Sequence, residues 1–575
     1  MLVLIVTAFM SLGLLNLDFG RGWWRGQRLR LAVGVPLVLL YAYVEMPALV
    51  FPQALTLLLF TLVPNAVYSV MLAARNAFVA RRLVSMRRTP ALRYIVAVAA
   101  LALFAVALAV APVVDASGLR DVPEVSLSTS QPPSADLRHV RVVPEESAIF
   151  AGEKVIGQLG TYYRVGTYNI QVERGHLVWV APLEFHGFVQ WFVRHTSPGV
   201  IVVSAENPDA NAELRQRAPM KYVPSAFFND NLYRHVYLRY GFEQILETTL
   251  QLDDAGVPRY LCTLGRPTIG WIGQKVTAVV IVDPTTGAMQ RVPRNAFDTL
   301  PSWVRRVYPP DLALSYNEWF GLYVHGWWNA QVAKRDVHVP ARDEVFGLLA
   351  GPQFVWFVDH TSPTSTNQSM TGFTYMDTVS GKITYYTATG GEFDSIGAQQ
   401  AVASNPLVRQ GRLTPTQPIL YTVFGENTWV VPLVADTGKY QTLTLVQARN
   451  GRVVVGNASA ASPQDDAFAQ YQALLGGVAS VGSSAGVEQL AGTLDRVAST
   501  NGALYFTLHG RSEIFQVTDL GDPHVLLARE GDAVTFSAVR DAAGRLIARN
   551  FRDSAFAGTG NRQLPRTKRK AAGRK

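Results

Sequence analysis

The first fifth of the chain is written in long apolar runs and the rest in short ones. Leu2 to Leu17, Leu31 to Phe51, Leu55 to Ala73 and Tyr94 to Val114 are the long runs. A helix needs about 20 residues to cross a hydrocarbon core of about 30 Å. The last three runs therefore predict spanning helices, and the shorter first run a fourth. A cleaved signal peptide is the rival reading of the first run, but no basic stretch precedes it and no small-x-small site leads into a soluble segment. Arg21, Arg25, Arg28 and Arg30 fall between the first and second runs, and Arg75, Arg81, Arg82, Arg87, Arg88 and Arg93 between the third and fourth. Lys and Arg are retained in short cytoplasmic loops, so both clusters read as inside, and the N-terminus and everything after Val114 as outside. Trp23 and Trp24 suit a headgroup belt. Glu45 and Asn65 are the strongly polar residues within the runs. Such residues often face other helices or mark an ion path, but a proton relay needs several ionisable groups in register, so helix packing, near-surface snorkelling or partner contact is the reading for Glu45.

Residues 115–138 are rich in Ser, Pro and Asp without an apolar period, the pattern of a tether. Beyond it a phrase recurs. Apolar strands with a central aromatic lie at Leu177 to Leu183, Arg259 to Leu264, Phe354 to Val358 and Thr428 to Leu433, centred on Trp179, Tyr260, Trp356 and Trp429. A second β-rich run follows each, closed in three copies by a glycine turn at Gly287, Gly381 and Gly451. In Asp283 to Gly287 and Asp377 to Gly381 the Asp caps the turn and the Gly supplies positive φ, a hairpin signal. Helix-compatible segments precede the strands at Glu145 to Gly157, Pro224 to Tyr240, Pro310 to Asn329 and Phe393 to Asn405. The fold class is α+β: a four-helix anchor over 1–114, a linker over 115–138, then tandem helix-on-sheet units over 139–300 and 301–460. The aromatics are spaced by 81, 96 and 73 residues, too unevenly for a solenoid.

The unit of helix, aromatic strand and D-x-x-[TS]-G hairpin resembles the PepSY-type module of bacterial envelope proteins. The wider phrases Trp179 to Leu183, Asn231 to His235, Val282 to Gly287 and Gly326-Trp327-Trp328-Asn329 resemble an uncharacterised family of large bacterial membrane proteins with PepSY-like extracytoplasmic repeats, over most of residues 140–555. PepSY modules are similar to propeptide and sensor-associated domains linked to peptidase inhibition. The resemblance thus implies binding.

After a helical linker at 461–486, residues 487–552 carry five or six short strands in about 65 residues, which fits a small closed barrel of OB-like type. Tyr505 and Phe506 are adjacent and point to opposite faces, so one of them is core. Residues 553–575 form a basic tail without apolar period, read as a disordered arm.

Charge changes meaning once it is placed. The formal net charge is +9. The residues before Tyr94 hold ten arginines against Asp18 and Glu45, and the last twenty residues hold seven basic residues and no acid, so the stretch between is mildly acidic. The single Cys262 excludes an internal disulfide and cysteine–metal frameworks, and its apolar strand makes it a small buried hydrophobe. No HExxH, SxxK or P-loop occurs, no GxSxG stands as a strand-to-helix elbow, and Glu184 with His186 reads as a surface hydrogen bond. Asp253, Asp254, Asp283 and Asp377 fill turn positions. No catalytic residue, metal ligand or cofactor is predicted.

Tyr316, Trp319, Phe320, Tyr323 and Trp327 form an aromatic stripe on a predicted helix, with Trp328 just off it. Such stripes are core first and interface anchors second; Trp319, Tyr323, Trp327 and Trp328 are the candidate partner-binding residues. Arg566, Lys568, Arg569 and Lys570 are the candidate polyanion-binding residues. The expectation is a multi-pass protein of the bacterial inner membrane with its C-terminal region extracytoplasmic. Its work would be non-catalytic binding or scaffolding within a protein assembly, with membrane lipid as one contact and an oligomer open. The rival is a nucleic-acid or anionic-polymer binder at a translocation machine, using barrel and tail; a peptidase inhibitor or regulator is the third reading.

Overall fold

The computed structural model describes residues 1–17, 23–79, 90–130, 132–363, 368–388, 390–475, 488–500, 503–517, 525, 527–540 and 546–554. They fall into two compact units, 1–455 and 456–575.

Each long apolar run is a helix: α1 (Leu2–Ser11, prolonged by a 3-10 turn, Leu12–Leu14), α2 (Trp23–Glu45), α3 (Gln53–Val79) and α4 (Pro90–Val114). Trp23–Glu45, Gln53–Leu72 and Leu92–Val114 are long and apolar enough to cross a membrane, whereas the first helix, at about 20 Å, is shorter than a hydrocarbon core. α2 starts before its apolar run does, so Arg25, Arg28 and Arg30, expected in a loop, ride on its first turns. Arg30 is buried and donates to Asn65 Oδ1 (2.8 Å) and Ser69 Oγ (2.7 Å). The Asn65 amide donates to the carbonyls of Gly13 (2.9 Å) and Leu15 (3.0 Å), where α1 has run out of its own donors. Asn65 thus packs helices together. Glu45 is the last residue of α2 rather than lying well inside it.

The expected tether is folded in part. α5 (Ala116–Arg120) buries Ala116 and Leu119, and Val125–Ser128 pairs in parallel with Ile383–Thr387. A free sheet edge accepts any extended backbone, so a polar stretch without apolar rhythm can still supply a strand.

Four helix-plus-meander units follow. Unit one has α6 (Glu145–Ile156), strands Asn169–Glu173, His176–Phe185, Val200–Ser204 and Glu213–Arg215, and a short α7 (Phe188–Arg194) between the second and third. Unit two has α8 (Leu232–Tyr240) and strands Gln244–Leu252, Pro258–Arg266, Lys275–Val282 and Met289–Pro293. Unit three has α9 (Pro310–Leu322), a one-turn α10 (Gly326–Trp328) and strands Phe346–Ala350, Gln353–Thr361, Met370–Asp377 and Ile383–Thr387. Unit four has α11 (Ser395–Ser404) and strands Ile419–Val423, Glu426–Val434, Tyr440–Gln447 and Val453–Val455. Two of the helices are shorter than expected: α8 starts at Leu232, and α9 stops at Leu322.

The units share cores. Leu177, Trp179, Ala181 and Leu183 on one face of unit one join Leu261, Val279 and Ile281 of unit two and Phe354, Trp356 and Met376 of unit three. Val178 and Val180 point the other way, with period two, against Tyr260, Cys262 and Val280. The Phe357 and Trp429 rings, 6.0 Å apart, connect units three and four.

One lock recurs. The indole N–H of the central strand donates to a carbonyl two residues ahead of the unit's helix: Trp179 to Val143 (2.9 Å), Trp356 to Tyr308 (2.8 Å) and Trp429 to Phe393 (3.0 Å). The amides of the same lead-in reach a carbonyl just past the third strand: Val142 and Val143 to Ala205, Lys221 and Tyr222 to Pro284, Val307 and Tyr308 to Thr378, and Phe393 to Ala448. In units two to four the lead-in aromatic, Tyr222, Tyr308 or Phe393, lies over the hairpin glycine. A Cβ at Gly287, Gly381 or Gly451 would stand 2.6, 2.3 or 2.9 Å from that ring, and all three glycines have positive φ. Unit two keeps the amide bonds but has Tyr260, whose buried hydroxyl has no hydrogen-bond partner among the described residues.

The second compact unit contains α12 (Pro463–Leu474) and a closed five-stranded barrel: Glu488–Thr500, Ala503–Leu508, Phe515–Val517, Ala533–Arg540 and Leu546–Asp553. Around the barrel the order is first, second, third, fifth, fourth, with a parallel pairing between third and fifth.

Trp356→Phe should therefore cost about 1–3 kcal/mol, because it strips the donor from a buried carbonyl. Tyr260→Phe should be neutral or stabilising, since it removes an unsatisfied hydroxyl. Urea unfolding of the detergent-solubilised chain measures both; equal losses would disprove the lock.

Candidate functional site

Pro310 at the first position and Asp311 in the first turn start α9, and it buries Leu312, Ala313, Tyr316, Trp319 and Phe320. The expected stripe breaks after Leu322: Tyr323 leaves helical geometry (φ −97°, ψ 29°) and Gly326 has φ +79°. Trp319 is therefore core, 8% exposed, and not a partner anchor. Tyr323 packs on the same core, and Trp327 is half-buried. Only Trp328 of the four stands out, at 68% exposure, with Val332 at 59% on the turn that follows. Asn329 shapes that turn, donating to the Arg335 carbonyl (2.8 Å) and accepting from the Arg335 amide (3.0 Å).

The body meets one end of the helix bundle through α8. The Leu49 amide donates to the Gly241 carbonyl (2.8 Å), Tyr237 Oη to the Pro47 carbonyl (3.0 Å), and Arg234 to the Tyr43 carbonyl (3.1 Å), with the guanidinium 4.2 Å from the Tyr43 ring. Tyr237 is buried in one cluster with Leu2, Val6, Met10, Val38, Ala42 and Leu57. The would-be Cβ of Gly270 falls 2.3 Å from the Leu108 carbonyl of α4. The N-terminal end of α1, the segment after α2 and the C-terminal part of α4 thus all face the body. A cavity of about 530 Å³ opens here, lined by Glu45, Tyr233, Tyr237, Glu243, Gln274 and Asp311 among others. Glu243 is engaged, accepting from Arg291 (3.0 Å) and Thr277 (2.5 Å).

Beside this junction lies an aromatic shelf. On α7 Phe188, Val189, Phe192 and Val193 are exposed while Trp191 is buried, and Phe228 is exposed next to them. Ring centroids join Phe188 to Phe227 (5.2 Å) and to Phe228 (6.2 Å). Arg234 donates to the Phe228 carbonyl (2.7 Å) with one nitrogen and reaches Tyr43 with another, which ties the shelf to the bundle.

The other sequence candidates resolve as structure. Asp283 Oδ1 accepts from Thr285 (2.8 Å) and Thr286 (3.2 Å), Asp377 Oδ1 from Val379 (3.2 Å) and Ser380 (2.6 Å), and Asp253 Oδ1 from Ala255 (3.0 Å) and Val257 (2.9 Å). Glu184 pairs with Arg164 (3.1 Å), not with His186. Burial pushes the Cys262 thiol up to about 12, so it is inert as a nucleophile near neutral pH. Buried ionisable groups in unit three also serve packing. Burial raises the Asp359 carboxyl to about 6, and it accepts from the Ser395 amide (2.7 Å). Burial lowers His338 to about 4 and holds its neighbour His360 neutral as well. Phe506, Phe515, Phe536 and Phe551 pack together inside the barrel, so Phe506 is the core member of its pair and Tyr505 is half-buried. Arg566, Lys568, Arg569 and Lys570 lie outside the described residues.

One cluster escaped the sequence reading. His139, His176 and Glu206 bring ligand atoms within 4.8 Å of one another. They stand 37 and 30 residues apart, and only the folded meander joins them, so no spacing rule finds them.

Trp319→Ala should cost about 3–5 kcal/mol as a core truncation, and Trp328→Ala less than about 0.5 kcal/mol as a surface change. Thermal melts of both variants test the assignment of core and surface.

Neither a known protein family nor a curated protein matches the chain. Among solved structures it is weakly similar to an exo-1,5-alpha-L-arabinanase from a bovine ruminal metagenomic library, at 12% identity over 51% of this chain and 79% of that one, with a TM-score of 0.15. Similarity to a Cellvibrio cellulosa alpha-L-arabinanase is 11% identity over 56% and 82%, TM-score 0.16. For a Bombyx mori GH32 beta-fructofuranosidase it is 10% over 71% and 70%, TM-score 0.17. Scores this low carry no argument about fold or activity.

Proposed function

We propose that this chain is a membrane-anchored protein of the bacterial envelope whose β-rich body lies outside the cytoplasm and works by binding, as a scaffold, rather than by catalysis. The observation that carries the reading is where the body keeps its exposed apolar side chains. Phe228, Tyr233, Leu238 and Phe242 lie on or beside α8, which grips the ends of α1 and α2; Phe188, Val189, Phe192 and Val193 adjoin Phe228. Trp328 and Val332 lie near α5, which continues from α4. Single apolar residues such as Leu127, Ile149 and Leu407 are exposed elsewhere on the body, but a soluble body gains nothing by gathering a group of them beside its junction with the helices, whereas an outer leaflet accepts aromatic and aliphatic groups at its headgroup boundary. Arg25, Arg28 and Arg30 on the first turns of α2 and Arg93 on the first turn of α4 belong to the other end of the bundle, which suits a cytoplasmic side.

Two finer readings draw support from the geometry. A helix packed on an antiparallel sheet whose aromatic strand faces it is what a PepSY-like unit requires, and the barrel's order, with its parallel closure, suits an OB-like fold. The barrel's phenylalanines are spent on its core, which favours docking over base stacking. Trp328 remains the anchor for a protein partner.

With Cys262 buried, Phe192→Cys, Val106→Cys on α4 and Leu407→Cys on unit four give single-site bimane labels in reconstituted vesicles. Nitroxide lipids should quench the labels at 106 and 192 but not at 407. Quenching at 106 alone would leave the body clear of lipid, and quenching at none would end the membrane reading. Trp328→Ala should lose a chain crosslinked to the wild type in cells while its melting temperature stays put; an unchanged crosslinking pattern would discard Trp328 as an anchor.

A further inference from the structure

We propose that His139, His176 and Glu206 form a binding site for one divalent transition-metal ion of zinc type. His139 Nδ1 lies 3.0 Å from Glu206 Oε1 and His176 Nδ1 2.8 Å from Oε2, with the two imidazole centroids 5.1 Å apart. Both rings therefore turn the same nitrogen toward one carboxylate. With metal–ligand bonds of about 2.0–2.2 Å, a tetrahedral ion holds its ligand atoms roughly 3.3–3.6 Å apart. Ligand atoms that all lie within 4.8 Å of one another need only short side-chain adjustments to reach that geometry.

Charge points the same way. The Glu206 side chain is 7% exposed, and the neighbours on its oxygens are the two histidines and the Leu177 amide (2.8 Å to Oε1). Arg138, the nearest cation in sequence, is held by Asp136 (2.7 Å). A carboxylate this nearly buried is costly to hold without a countercharge. A divalent ion supplies one.

The backbone presets the ligands. His139 ends a 3-10 turn capped by Asp136, which accepts the Arg138 amide (3.1 Å). His176 opens the central strand of unit one, and the Glu206 amide donates to Ser204 Oγ (3.2 Å) in the turn that closes the third strand. His176 is 63% exposed, which leaves an entry path and a solvent position for a fourth ligand. Ligation would clasp the lead-in of unit one to its sheet, three residues before Val142 makes the first lock bond. The site does not depend on the membrane reading.

Isothermal titration of the full-length chain, purified in detergent without a histidine tag, should show one saturable Zn(II) site. His176→Ala and Glu206→Gln should each weaken it by about 100-fold, and His186→Ala should not. Co(II) loading should give the visible absorption of a tetrahedral N/O site in the wild type and lose it in His176→Ala, a readout independent of stability. Saturating Zn(II) should raise the wild-type melting temperature by several degrees and leave that of His176→Ala unchanged. No saturable Zn(II) binding, or equal affinity and an equal Co(II) spectrum in wild type and variants, would overturn the proposal.

Discussion

The arrangement of the body rests on how each sheet holds the chain that leads into its helix. A helix has no partner of its own for the groups just outside its first turn, and a buried lead-in must find bonds elsewhere. Here the sheet provides them from two directions. An indole N–H from the second strand takes a lead-in carbonyl, and a carbonyl just past the third strand takes lead-in amides. The indole bonds of Trp179 and Trp356 are buried and that of Trp429 partly so, and losing a buried one costs desolvation that water cannot repay. Helix and meander are thereby fixed as one unit, and neighbouring units can share cores without any of them sliding.

The same lead-ins couple the units through arginine. Arg141, two residues before Val143, lies 4.7 Å over the Trp179 ring and donates to the Gly347 carbonyl of unit three (3.3 Å) and to Gln417 of unit four. Arg306, two residues before Tyr308, lies 4.9 Å over the Trp356 ring and bonds Asn169 of unit one (3.1 Å) and Glu247 of unit two. Burial lowers the Arg141 guanidinium to about 10, still far above neutral pH, so its charge persists. A stacked, planar cation keeps its donors aimed while its face is covered by an indole, a role lysine could not fill.

What was legible in the sequence was local. The Asp–Gly hairpins, the central aromatics and the start of α9 depend on neighbours within a few residues, and the chain shows them there. What was hidden depended on distant partners. Val125–Ser128 gains its strand from an edge 257 residues away. The stripe from Tyr316 to Trp327 fits a helix on paper, but a Cβ at Gly321 would fall 2.0 Å from the His338 carbonyl, and the chain turns at Tyr323 to let α10 form. Arg30 reads as a loop cation until the open carbonyls of α1 and the side chains of Asn65 and Ser69 are brought beside it. His139, His176 and Glu206 have no shared motif at all.

Unit two is where the repeat departs from itself, and the departure coincides with the junction to the helices. In units one, three and four a single residue, Pro144, Pro309 or Asp394, separates the lead-in from its helix. In unit two residues 223–231 intervene, and Tyr260 replaces the tryptophan that would have locked a short lead-in. The longer path carries Phe227 and Phe228 to the aromatic shelf, and Asn231 caps α8 by accepting from Arg234 (3.0 Å). α8 is thereby freed from the position its counterparts occupy and reaches Tyr43, Pro47 and Leu49 with Arg234, Tyr237 and Gly241. A unit held by both of its own locks could not have extended its helix to the bundle. The weaker internal bonding of unit two is the structural condition for joining body and helices.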